Sequence, residues 1–213
     1  MNQKIIQQIG RSQRIGIINL LKRSDGMAVA SMADKLGMSY MGVKQHCLAL
    51  HREGYLTTKR SPNTNGRIGR PELYYLLTQK SMELFPEAAN PITLSILDAA
   101  NTLFGGTAAE KLLFRLFQNE AVRLEPKIKG ETASERAKSL AKTRDAEGYL
   151  SEFSNGDDGK KIVEHHSPLM DLLVAYPNIA KMEEELFRKL LRTDVKRTSK
   201  KDAGQFTAEF VLA

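Results

Sequence analysis

Gly37 and Ser39 stand two residues apart between two stretches of helical character, and that spacing restricts the fold more than any other feature of the chain. A glycine ends a helix readily because it adopts the left-handed conformation. A serine hydroxyl caps the unpaired N–H groups that open the next one. Ser31 to Leu36 is therefore expected as a short helix, capped at Ser31 or its neighbour and stopped at Gly37. Ser39 then caps a helix that turns Val43, Cys47, Leu48 and Leu50 inward and ends at Gly54. Upstream, Ser12 caps a helix with Ile15, Ile18 and Leu21 on one face, and Lys22 and Arg23 suit its C-terminal dipole. Residues 3–9 fit a short preceding helix, and Met27 to Val29 a short strand. Tyr55 to Arg60 and Leu73 to Thr78 have strand composition and flank a segment dense in turn formers, Ser61 to Gly69. Helix, helix, tight turn, helix and hairpin together make a winged helix-turn-helix.

Charge is segregated along the chain. Residues 1–81 hold 13 Lys and Arg against 4 Asp and Glu, a net +9, whereas the remainder has 19 against 21, a net −2. Basic modules bind polyanions, most often nucleic acid and less often a membrane surface. A helix fits a major groove about 12 Å wide. In that docking Ser39, Tyr40, Met41, Lys44 and Gln45 face the groove, Lys44 suited to guanine and Gln45 to adenine. Arg60, Arg67 and Arg70 of the hairpin then take flanking phosphates or a narrow minor groove. A solvated basic face, or a helix-turn-helix used for protein docking, is the alternative. His46 and His51 read as packing or surface residues. Cys47 reads as a small buried hydrophobe, with a redox-sensing thiol as the alternative because Lys44, His46 and His51 stand close in sequence.

The remainder reads as helices followed by hairpins. Apolar residues are 41% of the 213 and charged residues 27%, enough for packed cores. No run approaches the ~20 apolar residues of a membrane span, and the first residues lack a secretory pattern, so a cytoplasmic protein is expected. A lone cysteine excludes an intramolecular disulfide and a metal site built from several thiolates of one chain. Asn90-Pro91 opens a helix with Leu94, Leu97 and Phe104 on one face, broken by Gly105-Gly106. Thr107 caps the next, carrying Leu113, Leu116, Phe117 and Leu124, and Thr132 or Ser134 a third, with Ala133, Ala137, Leu140 and Ala141 inward. A hairpin follows Gly148. Pro177 to Leu191 is a helix whose Glu183, Glu184 and Glu185 precede Arg188, Lys189 and Arg192, the order that complements the dipole. A last hairpin turns Phe206, Ala208, Phe210 and Leu212 inward by alternation.

The expected class is thus α+β: a winged helix-turn-helix over 1–86, a helical linker and dimerisation region over 87–147, and a small ββαββ domain over 148–213 with a concave ligand site between its sheet and helix. His165 and His166 are weak metal candidates, since neighbours on a regular strand point to opposite faces. Asp157 and Asp158 read as turn residues. There is no Gly-rich phosphate loop, nucleophile elbow or HExxH helix, and no enzymatic activity is expected.

The segment from Leu36 to Leu56 resembles the recognition region of bacterial ArsR/DeoR-type winged-helix regulators. Gly69-Arg70-Pro71, Tyr75, Leu77-Thr78 and Leu84-Phe85-Pro86 are similar to the GRPxxxYxLT…LFP signature of SufR-like repressors of iron–sulfur biosynthesis. That resemblance implies a dimeric repressor that binds double-stranded DNA at a palindromic operator, and a cluster held by three cysteines near the C-terminus. Here Ser167, Ala180 and Ala208 occupy those three positions. The frame matches and the ligands do not, so no cofactor is expected, and an unidentified small-molecule effector takes the cluster's place or there is none. No membrane partner is expected. A sequence-nonspecific architectural DNA-binding protein is the alternative function, and a metal-dependent hydrolase using His165 and His166 a more remote one.

Overall fold

A computed structural model describes residues 12–61, 72–85, 91–156, 159–202 and 205–213. It mixes helix and sheet in two compact units, Met1–Phe85 with Lys201–Gln205, and Pro86–Lys200 with Phe206–Ala213. The short helix expected over residues 3–9 lies outside the described residues.

The first unit runs α1 (Ser12–Lys22), β1 (Met27–Ala28), α2 (Val29–Leu36), α3 (Tyr40–Arg52), β2 (Leu56–Ser61) and β3 (Glu72–Leu77), closed by a 3-10 turn over Gln79–Leu84. β3 lies between β1 and β2 in an antiparallel sheet, with Leu56 opposite Leu77 and Met27 opposite Tyr75. Three helices followed by a hairpin against a short strand are a winged-helix arrangement. The turn residues behave as their chemistry requires. Gly37 has φ 61, and Met38 N–H donates to Ala33 O at 3.0 Å, closing α2. Ser39 Oγ accepts from Gly42 N at 3.1 Å. At the far end of α3, Gly54 N–H donates to His51 O and Tyr55 N–H to Leu50 O, the paired bonds of a left-handed helix end. Ser31 caps nothing: α2 begins at Val29, straight out of β1, with Ala28 at the N-cap.

The core of this unit is Ile17, Ile18 and Leu21 of α1, Val29 and Met32 of α2, Val43, Cys47 and Leu50 of α3, and Tyr75 and Leu77 of β3. Two expected inward residues face out. Ile15 and Leu48 are each 39% exposed, because positions 17, 18 and 21 and positions 43, 47 and 50 already fill the buried faces of their helices. The Thr78 hydroxyl donates to Gly54 O at 2.7 Å, and Arg14 forks onto both carboxylate oxygens of Glu53 at 2.6 Å. The last strand and the first helix are thus both tied to the C-terminal end of α3.

Lys22 stands in the last turn of α1, the end that suits its charge, and is 1% exposed there. Its Nζ lies 3.0 Å from Met82 Sδ and 5.0 Å from the centre of the Phe85 ring. Burial pushes its ammonium down to about 8 from an ordinary 10.5. Between those values the unfolded chain holds more protons than the folded one, so stability rises with pH and is lost as pH falls through about 8. From about pH 8 upward the trend is opposed in part, because burial pushes the Cys47 thiol up to about 12 and only the unfolded thiol ionises there. Urea unfolding of the wild type is therefore expected to show a net gain of roughly 0.5 kcal/mol from about pH 8 to 9. Lys22→Met should abolish that gain. The same rise in both proteins would contradict the assignment.

The second unit runs α4 (Pro91–Phe104), α5 (Ala108–Leu124), α6 (Ala133–Arg144), β4 (Ser151–Gly156), β5 (Gly159–Glu164), α7 (Met170–Ala175), α8 (Ile179–Leu191), β6 (Val195–Asp202) and β7 (Gln205–Leu212). Its sheet has the order β4-β5-β7-β6, with β5 antiparallel to both β4 and β7. One core runs from Leu97 of α4 through Leu113, Phe117 and Leu140 to Phe187 of α8 and Phe210 of β7. Regions 87–147 and 148–213 therefore share a single hydrophobic interior. β7 alternates as its sequence suggests, with Phe206, Ala208, Phe210 and Leu212 buried. Thr132 and Glu135 form a reciprocal capping box at the start of α6. Thr107 makes no side-chain cap; Asn101 Oδ1 takes the Ala109 N–H at 2.9 Å instead. Leu116 and Phe104, expected in the core, are 52% and 80% exposed.

The centre of the space between sheet and α8 is filled, and the concavity that remains is a pocket of about 240 Å³ at its edge, lined by Arg188, Val195, Lys196 and Val211 among others. Phe187 stacks on Phe210 with ring centres 3.7 Å apart. Beside them sits a buried ionic network. Arg144 donates through Nε and one terminal nitrogen to Glu164 at 2.7 and 3.0 Å, and reaches Glu183 at 3.3 Å. Arg197 donates to the other Glu183 oxygen at 3.1 Å. The Arg144 guanidinium lies 3.3 Å from the centre of the Tyr149 ring. Burial alone would lower its affinity for the proton, but Glu164, Tyr149 and Glu183 together outweigh this and hold the guanidinium charged. Glu183 of the acidic run is 1% exposed, whereas Glu184 and Glu185 pair with Arg188.

Candidate nucleic-acid interface

The exposed face of α3 carries the residues singled out from sequence. Ser39 holds the N-cap, its hydroxyl taking the Gly42 N–H, and the helix start carries a partial positive charge suited to a phosphate. Tyr40 and Met41 are 52% and 58% exposed; Gln45 is exposed and Lys44 half-buried. Leu48 and Arg52 continue the same outward stripe, at positions 41, 45, 48 and 52. The sequence carried a signal for Leu48, the four-three-four spacing, which was outweighed by its apolar character.

β2 and β3 form the second wall. Arg60 is exposed and pairs in register with Leu73, while Ser61 pairs with Glu72. Between the wing and the start of α3 lies a groove of about 330 Å³, whose lining includes Tyr40, Lys44, Arg60, Glu72 and Leu73. The fold thus brings Tyr40, Lys44 and Arg60 into one concave surface. Ser39, Met41 and Gln45 stand outside that lining, on the helix itself. Arg67 and Arg70 lie outside the described residues. Glu72 and Leu73 were missed from the sequence because a strand assignment does not say which residues flank a neighbouring helix.

Cys47 is fully buried on the opposite face of α3, its thiol pushed up to about 12 by loss of solvent. A thiol reacts as the thiolate, so the redox-sensing alternative does not fit this environment. Iodoacetamide should leave the native protein unmodified near neutral pH and label one site once urea unfolds it, as read by intact mass. Rapid native labelling would contradict the burial.

No family model matches the chain, and no curated protein matches it. Among solved structures it is similar to NMB1585, a MarR family regulator from Neisseria meningitidis, at 18% identity and a TM-score of 0.30, over 57% of this chain and 82% of that one. The winged-helix assignment rests on the element order and strand register described above, not on that overlap.

The positions at which the SufR-like frame has cysteines do not form a ligand set. Ser167 is buried, with its Oγ accepting from Leu169 N at 3.3 Å. Ala180 sits in the first turn of α8, and Ala208 lies 1% exposed on β7, opposite Glu164. Two methyl groups and a hydroxyl supply no thiolate, and these residues do not fit an iron–sulfur cluster. His165 Nε2 lies 3.0 Å from Glu152 Oε1, whereas His166 is 2% exposed. Among the described residues, no three His, Cys, Asp or Glu side chains converge as a metal site. Asp157 and Asp158 lie outside the described residues. No described helix is long and apolar enough to cross a membrane.

Proposed function

We propose that this protein is a DNA-binding transcriptional regulator, a repressor that reads a palindromic operator as a dimer. The observation that carries the reading is the groove shared by Tyr40, Lys44 and Arg60 at the capped end of α3, within the first 81 residues, whose net charge is +9. Helix α3 enters the major groove by its N-terminal turn. Lys44 and Gln45 read base edges, and Arg60 with its neighbours on the wing takes the backbone. The second unit keeps the frame of SufR-like repressors without their ligands, and an effector of other chemistry, or none, acts there. Such an effector works only through unequal affinity for two states of the dimer.

The test is selection of genomic fragments, the protein's own upstream region included, by the purified protein at near-physiological salt. Enrichment of a two-fold-symmetric sequence is the expected result. Uniform recovery that vanishes with added salt would favour the architectural reading, in which the backbone alone is bound.

A further inference from the structure

Within the second unit, α5 and α8 run side by side in the same direction, and two contacts fix their register. Asn178 at the start of α8 donates to Glu110 in the first turn of α5 at 2.7 Å. Arg192 at the end of α8 donates to Glu125 at the end of α5, also at 2.7 Å. Between these ties lies a groove of about 250 Å³. Its lining follows the spacing i, i+3, i+4, i+7 on both helices, from Phe114 to Ala121 and from Met182 to Lys189. Phe117 and Leu186 are buried and form the floor. In that register Phe114 stands level with Met182, and this end is apolar. At the other end the small Ala121 stands level with Lys189. Lys189 is exposed and makes no ion pair among the described residues. Arg123 and Arg192, near the same end, are already held by Glu120 and Glu125. Glu185, midway along the rim, pairs with Arg188.

We infer that this groove binds an unbranched monocarboxylate of about eight carbons, its carboxylate on Lys189 and its chain ending between Phe114 and Met182. The site gives a chemical class to the effector that the reading above leaves open, and ligand binding itself does not rest on that reading. Length sets the size of the chain. Seven helical positions at a rise of about 1.5 Å make a groove about 10 Å long. A saturated chain with C–C bonds of about 1.5 Å advances about 1.25 Å per carbon, so about eight carbons fill it. Volume agrees. An apolar cavity of about 150 Å³ holds benzene, so about 250 Å³ holds roughly ten non-hydrogen atoms. A single aromatic ring is too short to reach from Phe114 to Lys189. Charge sets the direction. An ammonium without a carboxylate partner, at one end of an apolar groove, takes an anionic head, and its four-carbon stem lies along the apolar wall. A cationic head would have only Glu185, whose carboxylate Arg188 already holds.

Equilibrium dialysis of labelled octanoate and labelled octanol against the full chain, at neutral pH and without DNA, tests this. The wild type should bind one equivalent of octanoate saturably. Hexanoate should bind more weakly, by up to about fifteenfold, since each buried methylene is worth up to about fourfold. Dodecanoate should gain nothing over decanoate, because the added carbons leave the groove. Lys189→Ala should weaken octanoate about tenfold and leave the affinity for octanol unchanged, which separates charge from packing. Gln118→Trp, at an exposed position on the groove wall, should fill the groove and abolish binding with unchanged far-UV circular dichroism. Many weak equivalents in place of one, full binding by Gln118→Trp, equal losses of acid and alcohol in Lys189→Ala, or benzoate bound more tightly than octanoate would each overturn the inference. The operator selection fails or succeeds separately: a protein that binds octanoate here and selects no sequence keeps this site and loses the DNA reading.

Discussion

Replacing Arg144 with alanine is expected to destabilise the protein by about 3–5 kcal/mol, the cost of leaving a buried charge without its partner. Arg144 holds both oxygens of Glu164 and one of Glu183, and each of the three side chains is at most 2% exposed. Arg197 remains to satisfy Glu183, but Glu164 loses its closest guanidinium. Burial already raises the Glu164 carboxyl above the usual range, with Arg144 the chief opposing charge. Without Arg144 its folded pKa rises further above the unfolded one. A group shifted in that direction stabilises the fold below its unfolded pKa and ceases to do so as pH rises through the folded value. The variant should therefore be closer to wild type near pH 5 than near pH 8, as read by urea unfolding. Total stability of a domain is only about 5–15 kcal/mol, so the single variant can fail to fold. Arg144→Met with Glu164→Met removes the pair together, and by the same reasoning recovers most of the loss, since apolar replacement of a complete buried pair is often neutral or better. A single variant within about 1 kcal/mol of wild type at pH 8 would show that the network is not an energetic unit.

On the selected operator, Lys44→Ala is expected to cost about 1–3 kcal/mol in binding, a loss of roughly five- to 150-fold, with little loss on scrambled duplex. Gln45→Ala should relax preference at a different base. Both side chains are on the exposed face of a helix whose buried face is carried by Val43, Cys47 and Leu50, so neither change should disturb folding. Arg60→Ala should behave otherwise. It lies on β2 at the groove's far wall, and as a phosphate contact it should weaken every duplex alike and reduce the salt slope by about one. Fluorescence anisotropy across a salt series separates the two patterns. Equal losses on all duplexes for Lys44→Ala would remove it as a base reader.

Much of the first unit is legible from local chemistry. Gly37, Ser39 and Gly54 end and begin helices through bonds made within a few residues, and the structure places those bonds where composition indicates. The alternation of Phe206, Ala208, Phe210 and Leu212 is a property of one strand, and its burial follows. The candidate interface was legible in part for the same reason. A capped, basic helix start can be read along the chain, but the approach of Glu72 and Leu73 to Tyr40 and Lys44 depends on how the hairpin folds back.

Other positions were decided by what packs against them. A helical period selects a face and does not say whether that face is covered. Lys22 and Glu183 occupy inward positions and are buried, although their charge argued for solvent; Met82 and Phe85 cover the first, and Arg144 and Arg197 meet the second. Ile15, Leu48, Phe104 and Leu116 are apolar and lie outward because other residues already fill the interior. The sequence by itself determined several of the points where elements start and stop, the charge division and the absence of cysteine at positions 167, 180 and 208, all of which are set by near neighbours or by side-chain identity. Tertiary structure alone decided which charges are buried, which apolar side chains remain open and which residues share a groove, because those depend on the approach of segments distant in the chain.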